Sequence, residues 1–235
     1  MTAISTVLLD AGGVILDESE EETVRTRIAV EVLRTAVTDY SIAQYYSDIE
    51  ESVRAFCPST YQFVFWKHLK SDRALFNKLL ELYHHHWEHR KPPLKTSEGI
   101  EREVRAISGK YRVALAGQYG RDFLDLLKAR GILDCFSPHV TQDDFAITKP
   151  DPRYFDLIAA AVGVSAEECI MVGDRIDKDI VPAKQAGMRT IRIRVGLHRN
   201  QQPRIPLDVP DAELNSVVGL AAAVEKVAGA ATKRV

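Results

Sequence analysis

Short apolar, β-branched runs alternate along most of the chain with stretches whose apolar positions recur every three or four residues. The first run, TVLLD at residues 6–10, ends on glycines and predicts a buried strand followed by a tight loop, with Asp10 at the strand's C-terminal end. From about 21 to 92 the character changes. Long amphipathic patterns, no glycine, and Pro58 as the internal proline predict a separate run of helices. After Ser97 a helix at 98–107 precedes a strand at 113–116, a helix at 121–129 and a short strand near 139–141. A helix at 152–162, a strand at 170–173, a helix at 180–186 and a strand at 190–195 follow. This is the rhythm of a doubly wound α/β domain, a parallel sheet with crossover helices. Residues 201–210, rich in proline, are expected on the surface before a last helix at 215–227. Such sheets bind ligands beyond the C-terminal ends of their strands, so the loops after Asp10, Gly117, Thr141 and Asp174 are the ones to inspect.

Composition narrows the function classes. The 235 residues suffice for two modules, and 46% hydrophobic with 27% charged residues is the balance of a soluble globular chain. A net charge of -2 with scattered basic residues offers no footprint for nucleic acid or an anionic membrane, so a small ligand is the expected partner. Cys57, Cys135 and Cys169 are odd in number and far apart, unlike a disulfide framework or a thiolate metal site. No basic leader precedes a long apolar run and no stretch reaches membrane-spanning length, so a cytoplasmic location is expected. Monomer and homodimer both stay open.

Candidate chemistry gathers at the predicted strand ends. The segment MVGDRIDKDIVPAKQAGM, 171–188, delivers Asp174 to the end of an apolar strand and Asp179 to the start of the next helix. With Asp10, these carboxylates suit a hard divalent ion that prefers oxygen ligands, namely magnesium. Asp177 ranks below them, as a water-mediated ligand or a solvent-facing side chain. In ITKPDPRYF, 147–155, Lys149 stands ahead of a helix started by Pro150 and Pro152. An ammonium there can hold phosphoryl oxygens. Taken singly, DAGG reads as a turn, KPDP as a helix start, and the acidic run as a helix N-terminus offsetting its dipole.

Taken in order, DAGGVILD (10–17), VALAGQYG (113–120), ITKPDPRYF and MVGDRIDKDIVPAKQAGM resemble the four motifs of the haloacid dehalogenase (HAD) superfamily. The resemblance covers nearly the whole chain. It implies a Rossmann-like core, 1–17 and 97–235, interrupted by a helical cap of the C1 type at 18–96. It also implies a phosphohydrolase acting on a small phosphorylated metabolite, with Asp10 as nucleophile through an aspartyl phosphate. Lys149 would hold the phosphoryl group, Asp174 would bind magnesium directly, Asp179 would bind it or support it, and the Gly12 carbonyl would complete the contact.

Two positions depart from the family's pattern. Gly12 stands where its phosphatases carry an aspartate for general acid and base catalysis, a contribution of about 100- to 10,000-fold. Gly117, followed by Gln118, stands where the family has a phosphate-binding serine or threonine, leaving main-chain N–H groups and the Gln118 amide to serve. Two other readings therefore stay open beside the phosphatase. One is a phosphonatase- or dehalogenase-like hydrolase, the phosphonatase using an imine-forming lysine such as Lys67, Lys70 or Lys78. The other is a catalytically weak binding or regulatory protein.

In the helical block, FVFWKHLKSD at 63–72 groups Phe63, Phe65, Trp66 and Leu69 as an aromatic core, with Trp66 or His68 as alternatives that select substrate. His84, His85, His86 and His89 have no third zinc-type ligand nearby in sequence and read as a solvated helix end. The linkers 18–23 and 91–97 could let the cap close on the core.

Overall fold

A computed structural model describes residues 2–69, 71–117, 119–139 and 145–232, with residues 231 and 232 described by backbone alone. The chain forms two compact units, Met1–Asp17 with Leu94–Val195 and Gln202–Val235, and Glu18–Pro93 with Gly196–Gln201.

The first unit is built on a five-stranded parallel sheet. Its strands β1 (Thr6–Leu9), β2 (Arg112–Leu115), β3 (Cys169–Gly173), β4 (Arg189–Ile193) and β5 (Ala212–Leu214) run in the order β2-β1-β3-β4-β5. Helices cover both faces, which explains why β1 is buried throughout rather than on alternate positions. Val7 and Leu9 enter one core cluster while Leu8 enters another on the opposite face. Leu9 is level with Leu115 and with Val172, so the chain leaves β1, β2 and β3 at one edge.

The second unit packs four helices, α1 (Ser19–Leu33), α2 (Ile42–Arg54), α3 (Thr60–His68) and α4 (Arg73–Arg90), around Ile28, Leu33, Ile49, Phe65 and Leu79. Ser41 and Gln44 form a reciprocal capping box at α2, and Asp72 accepts the Leu75 N–H at α4. The Gly196–Gln201 segment, kept with the core in the sequence reading, packs here, and Glu22 Oε1 accepts the Leu197 N–H at 3.1 Å. Trp66 does not join the aromatic core. It is 41% exposed and meets Phe76 edge-on, while Phe65 and Leu69 are buried. Asp48 supplies the buried polar centre, accepting from Tyr40 Oη at 2.5 Å, His68 Nε2 at 2.6 Å and Lys67 Nζ at 2.6 Å.

The first unit is completed by α5 (Ile100–Ser108), α6 (Arg121–Ala129), α7 (Arg153–Val162), α8 (Val181–Gln185) and α9 (Leu220–Thr232). Two expectations change. The chain forms a π-helical turn at Ile176–Ile180 before the short α8. The chain also adds β5 before its last helix, which starts at Leu220 rather than near 215. The AEL run of β5 carries no β-branched residue and is half-exposed, so no periodicity announced it. Asp211 anchors this edge by accepting from the Thr190 N–H and hydroxyl. Of the short strand expected at 139–141, His139 lies in no strand, and residues 140 and 141 lie outside the described residues. No described helix is long and apolar enough to cross a membrane.

Candidate active site

The edge where β1 and β3 end brings together residues from distant parts of the chain. Asp10 follows β1 directly and is held in line by its N–H, which donates to the Val172 carbonyl at 2.9 Å. Its Oδ1 accepts the Ala11 N–H at 2.8 Å and lies 2.9 Å from Lys149 Nζ. Lys149 also donates to Asp179 Oδ1 at 2.6 Å, and Asp179 Oδ2 accepts the Arg175 N–H at 3.0 Å. The ammonium therefore bridges two carboxylates, and both oxygens of Asp179 are engaged. Asp174 is buried at the end of β3, and Asp10, Asp174 and Asp179 each offer an oxygen within 4.8 Å of the others. Among the described residues this is the one group of three or more carboxylate, imidazole or thiolate side chains so disposed.

Glycines make room for this cluster. Gly173 closes β3 where any Cβ would collide with the Asp179 side chain. Gly13 has a left-handed φ of +67°, and a Cβ there would approach Asp174 Cβ and Cγ at 3.0 Å. At Gly117 a Cβ would fall 2.5 Å from Asp10 Oδ1 and 3.0 Å from the Ala11 nitrogen. The missing hydroxyl is thus tied to the placement of Asp10. Gly12, partly exposed, bridges Leu16 in the loop after β1. Gln118 lies outside the described residues.

Burial pushes the Asp10 carboxyl up to about 6, with the Lys149 ammonium pulling it down and the Asp179 charge pushing it up. For Lys149, burial works against the charge, but Asp10 and Asp179 outweigh it and hold the ammonium above its usual range. Asp177 stands apart from the three clustered carboxylates, gripped by the Arg175 guanidinium at 2.6 Å and 3.2 Å.

One neighbour escaped the sequence reading. Arg192 lies in β4 and donates from Nε to the Asp174 main-chain carbonyl at 3.2 Å. Its signal was weak, since Arg192 and Arg194 alternate with isoleucines in TIRIRV as the polar positions of an ordinary strand do.

The candidates on the helical unit have other engagements. Lys67 is held by Asp48 and Glu51, whose hydrogen bonds raise its pKa, whereas imine formation requires a neutral amine. Lys78 is exposed and Lys70 lies outside the described residues. His68 is tied to Asp48. The rings of His85 and His89 lie 4.4 Å apart, and His89 Nδ1 is 2.7 Å from the carbonyl of His85 on its own helix.

A family model described as haloacid dehalogenase-like hydrolase matches residues 4–187. Among curated proteins, the chain is 36% identical over 113 residues to the glyceraldehyde 3-phosphate phosphatase of Methanopyrus kandleri, covering 48% of each. It is 36% identical over 91 residues to the phosphoserine phosphatase of Thermus thermophilus, covering 39% of this chain and 36% of that one. The chain thus spans about half or less of the length of these relatives. Among solved structures, the magnesium-bound HAD-hydrolase YfnB of Bacillus subtilis superposes with a TM-score of 0.67, over 95% of this chain and 99% of that one. At 20% identity this is a likeness of fold.

Proposed function

The chain belongs to the haloacid dehalogenase-like hydrolase family, and from that premise we propose that it is a magnesium-dependent phosphohydrolase of a small phosphorylated metabolite, acting through an aspartyl phosphate on Asp10. The observation that carries the proposal is the convergence of Asp10, Asp174 and Asp179 around one point, with Lys149 bridging Asp10 and Asp179. Four charges at the end of a sheet serve the fold poorly, since buried ions are costly unless they are paired. They serve an anionic reaction well.

The donor set fits the metal. Asp10 and Asp174, with Asp179 beside them, offer the hard carboxylate oxygens that magnesium prefers. Magnesium, when bound, supplies the charge neutralisation that lets a carboxylate approach a phosphoryl group. Asp174 is the direct ligand in this reading. Asp179, with one oxygen on Lys149 and the other on the Arg175 N–H, chiefly fixes the lysine.

The remaining steps fall to residues of the chain. The Ala11 N–H and Lys149 hold Oδ1 of Asp10 and so fix the rotation of its carboxylate. An Asp10 oxygen attacks phosphorus, the P–O bond to the leaving group breaks, and Lys149 holds the phosphoryl oxygens. Water then cleaves the aspartyl phosphate and restores Asp10. Gly12 offers no side chain for proton transfer, which favours substrates with a good leaving group or a proton of their own. The relatives named for glyceraldehyde 3-phosphate and phosphoserine support a small phosphomonoester as the substrate class. The helical unit inserted after the first strand takes the role of the cap.

A panel of phosphate monoesters, acyl phosphates and phosphonoacetaldehyde, assayed with magnesium beside Asp10→Asn, tests this reading. Phosphate release that disappears in Asp10→Asn is the expected result. Turnover that persists in the variant removes Asp10 as nucleophile. Binding of a phosphate analogue without any turnover would favour a regulatory protein on the same fold.

A further inference from the structure

Arg192 is the bulkiest of the fully buried side chains among the described residues, at 1% exposure. It sits in β4 level with Gly173 of β3 and with Glu213 of β5. An apolar residue would fill this space without the penalty of removing a cation from water. Burial does work against its charge, which the Glu213 carboxylate partly offsets. The guanidinium is held on two sides. Nη1 donates to Glu213 Oε1 at 3.2 Å, and Nε donates to the main-chain carbonyl of Asp174 at 3.2 Å.

That carbonyl belongs to the first residue beyond β3, where the strand no longer fixes the backbone. A donor on it restrains the peptide plane after Asp174 and, through it, the direction of the Asp174 side chain. Glu213 in turn fixes the donor, which gives a purpose to a three-residue edge strand that contributes little to the core. Planar and forked, a guanidinium can hold both partners at once in a way an ammonium cannot.

We propose that Arg192 and Glu213 are positioning residues that aim Asp174 and thereby set the affinity of the site for magnesium. The proposal rests on the reading of Asp174 as a magnesium ligand. Positioning and simple electrostatics act here with opposite signs. A cation near the carboxylates repels magnesium, so its removal alone would tighten binding, whereas loss of aim weakens it. A role confined to packing would lower the melting temperature and leave metal affinity unchanged.

Titration calorimetry of the full chain with magnesium alone, beside the melting temperature of each metal-free variant, separates these roles. Arg192→Met is expected to weaken magnesium binding by about tenfold or more, the range typical of residues behind metal ligands. Arg192→Lys keeps the charge but not the fork and should weaken it as well. Glu213→Asp keeps the charge but shortens the reach to the guanidinium, so electrostatics predicts no change and positioning predicts a smaller loss in the same direction. Because Glu213 lies on a partly exposed edge, that variant decides the matter if those at Arg192 do not fold. Affinity unchanged or tightened in the folded variants, while Asp174→Asn has lost it, overturns the proposal. Magnesium bound by Asp174→Asn as tightly as by the parent overturns the metal reading beneath it.

Discussion

A Cβ on Gly117 would stand 2.5 Å from Oδ1 of Asp10, closer than real Cβ contacts come. The glycine and the candidate nucleophile therefore share one space. Gly117→Ser would bring the chain nearer to its family's pattern, yet with Asp10 in this place it must push the carboxylate aside. Turnover is expected to fall by about 100-fold, the scale of a displacement near 1 Å in a reacting group. Steady-state kinetics with the best substrate checks this, and a variant faster than the parent would show that Asp10 moves freely.

In the proposed mechanism, Gly12 is the place where proton transfer is missing. Gly12→Asp should raise turnover of alkyl phosphates by about 100-fold, the lower range of general acid and base catalysis. Acyl phosphates, whose leaving groups need little protonation, should change far less. The ratio of the two kcat values is the readout. An equal effect on both would mean that the new carboxylate acts on something other than the leaving group.

Lys149 is expected to hold the site together as well as to bind phosphate. Lys149→Met leaves Asp10 and Asp179 close to each other without their shared ammonium. Breaking such a buried pair costs about 3–5 kcal/mol. Urea unfolding should show this loss without metal and a partial recovery in excess magnesium.

The helical unit has its own pH dependence, centred on Asp48. Burial pushes this carboxyl up, but the hydrogen bonds from Lys67, Tyr40 and His68 outweigh it and hold it below the ordinary value of 3.8. A carboxyl depressed in the folded state contributes stability above its unfolded value, and that contribution is lost as pH falls through the folded value. Asp48→Asn should therefore melt below the parent at about pH 7 and approach it near pH 3. A constant gap in melting temperature across that range would place the contribution of Asp48 elsewhere.

Much of this was legible in the order of segments. The TVLLD and IMVGD runs mark two strands whose ends meet, and β1 and β3 pair in parallel so that Asp10 and Asp174 leave the sheet at the same edge. Motif order predicted that Lys149 and Asp179 would join them, but not that one oxygen of Asp179 would be taken by the lysine. Pairing of that kind depends on side-chain rotamers, which spacing does not encode. Arg192 was hidden because an arginine alternating with isoleucines reads as a solvent-facing strand position rather than a buried group. The edge strand β5 was missed because AEL carries no β-branched residue, and part of its hold comes from Asp211 and Thr190 beside it. Gly117 was visible as a departure from the family. That a side chain there would strike Asp10 was visible only in three dimensions.

The most direct measurement is acid quenching of the enzyme during turnover of an acyl phosphate with magnesium, followed by peptide mass spectrometry. Phosphate carried by the peptide containing Asp10, and absent from Asp10→Asn, is the expected result. Sustained phosphate release with no phosphorylated Asp10 peptide at any quench time, and undiminished in Asp10→Asn, would contradict Asp10 as the nucleophile.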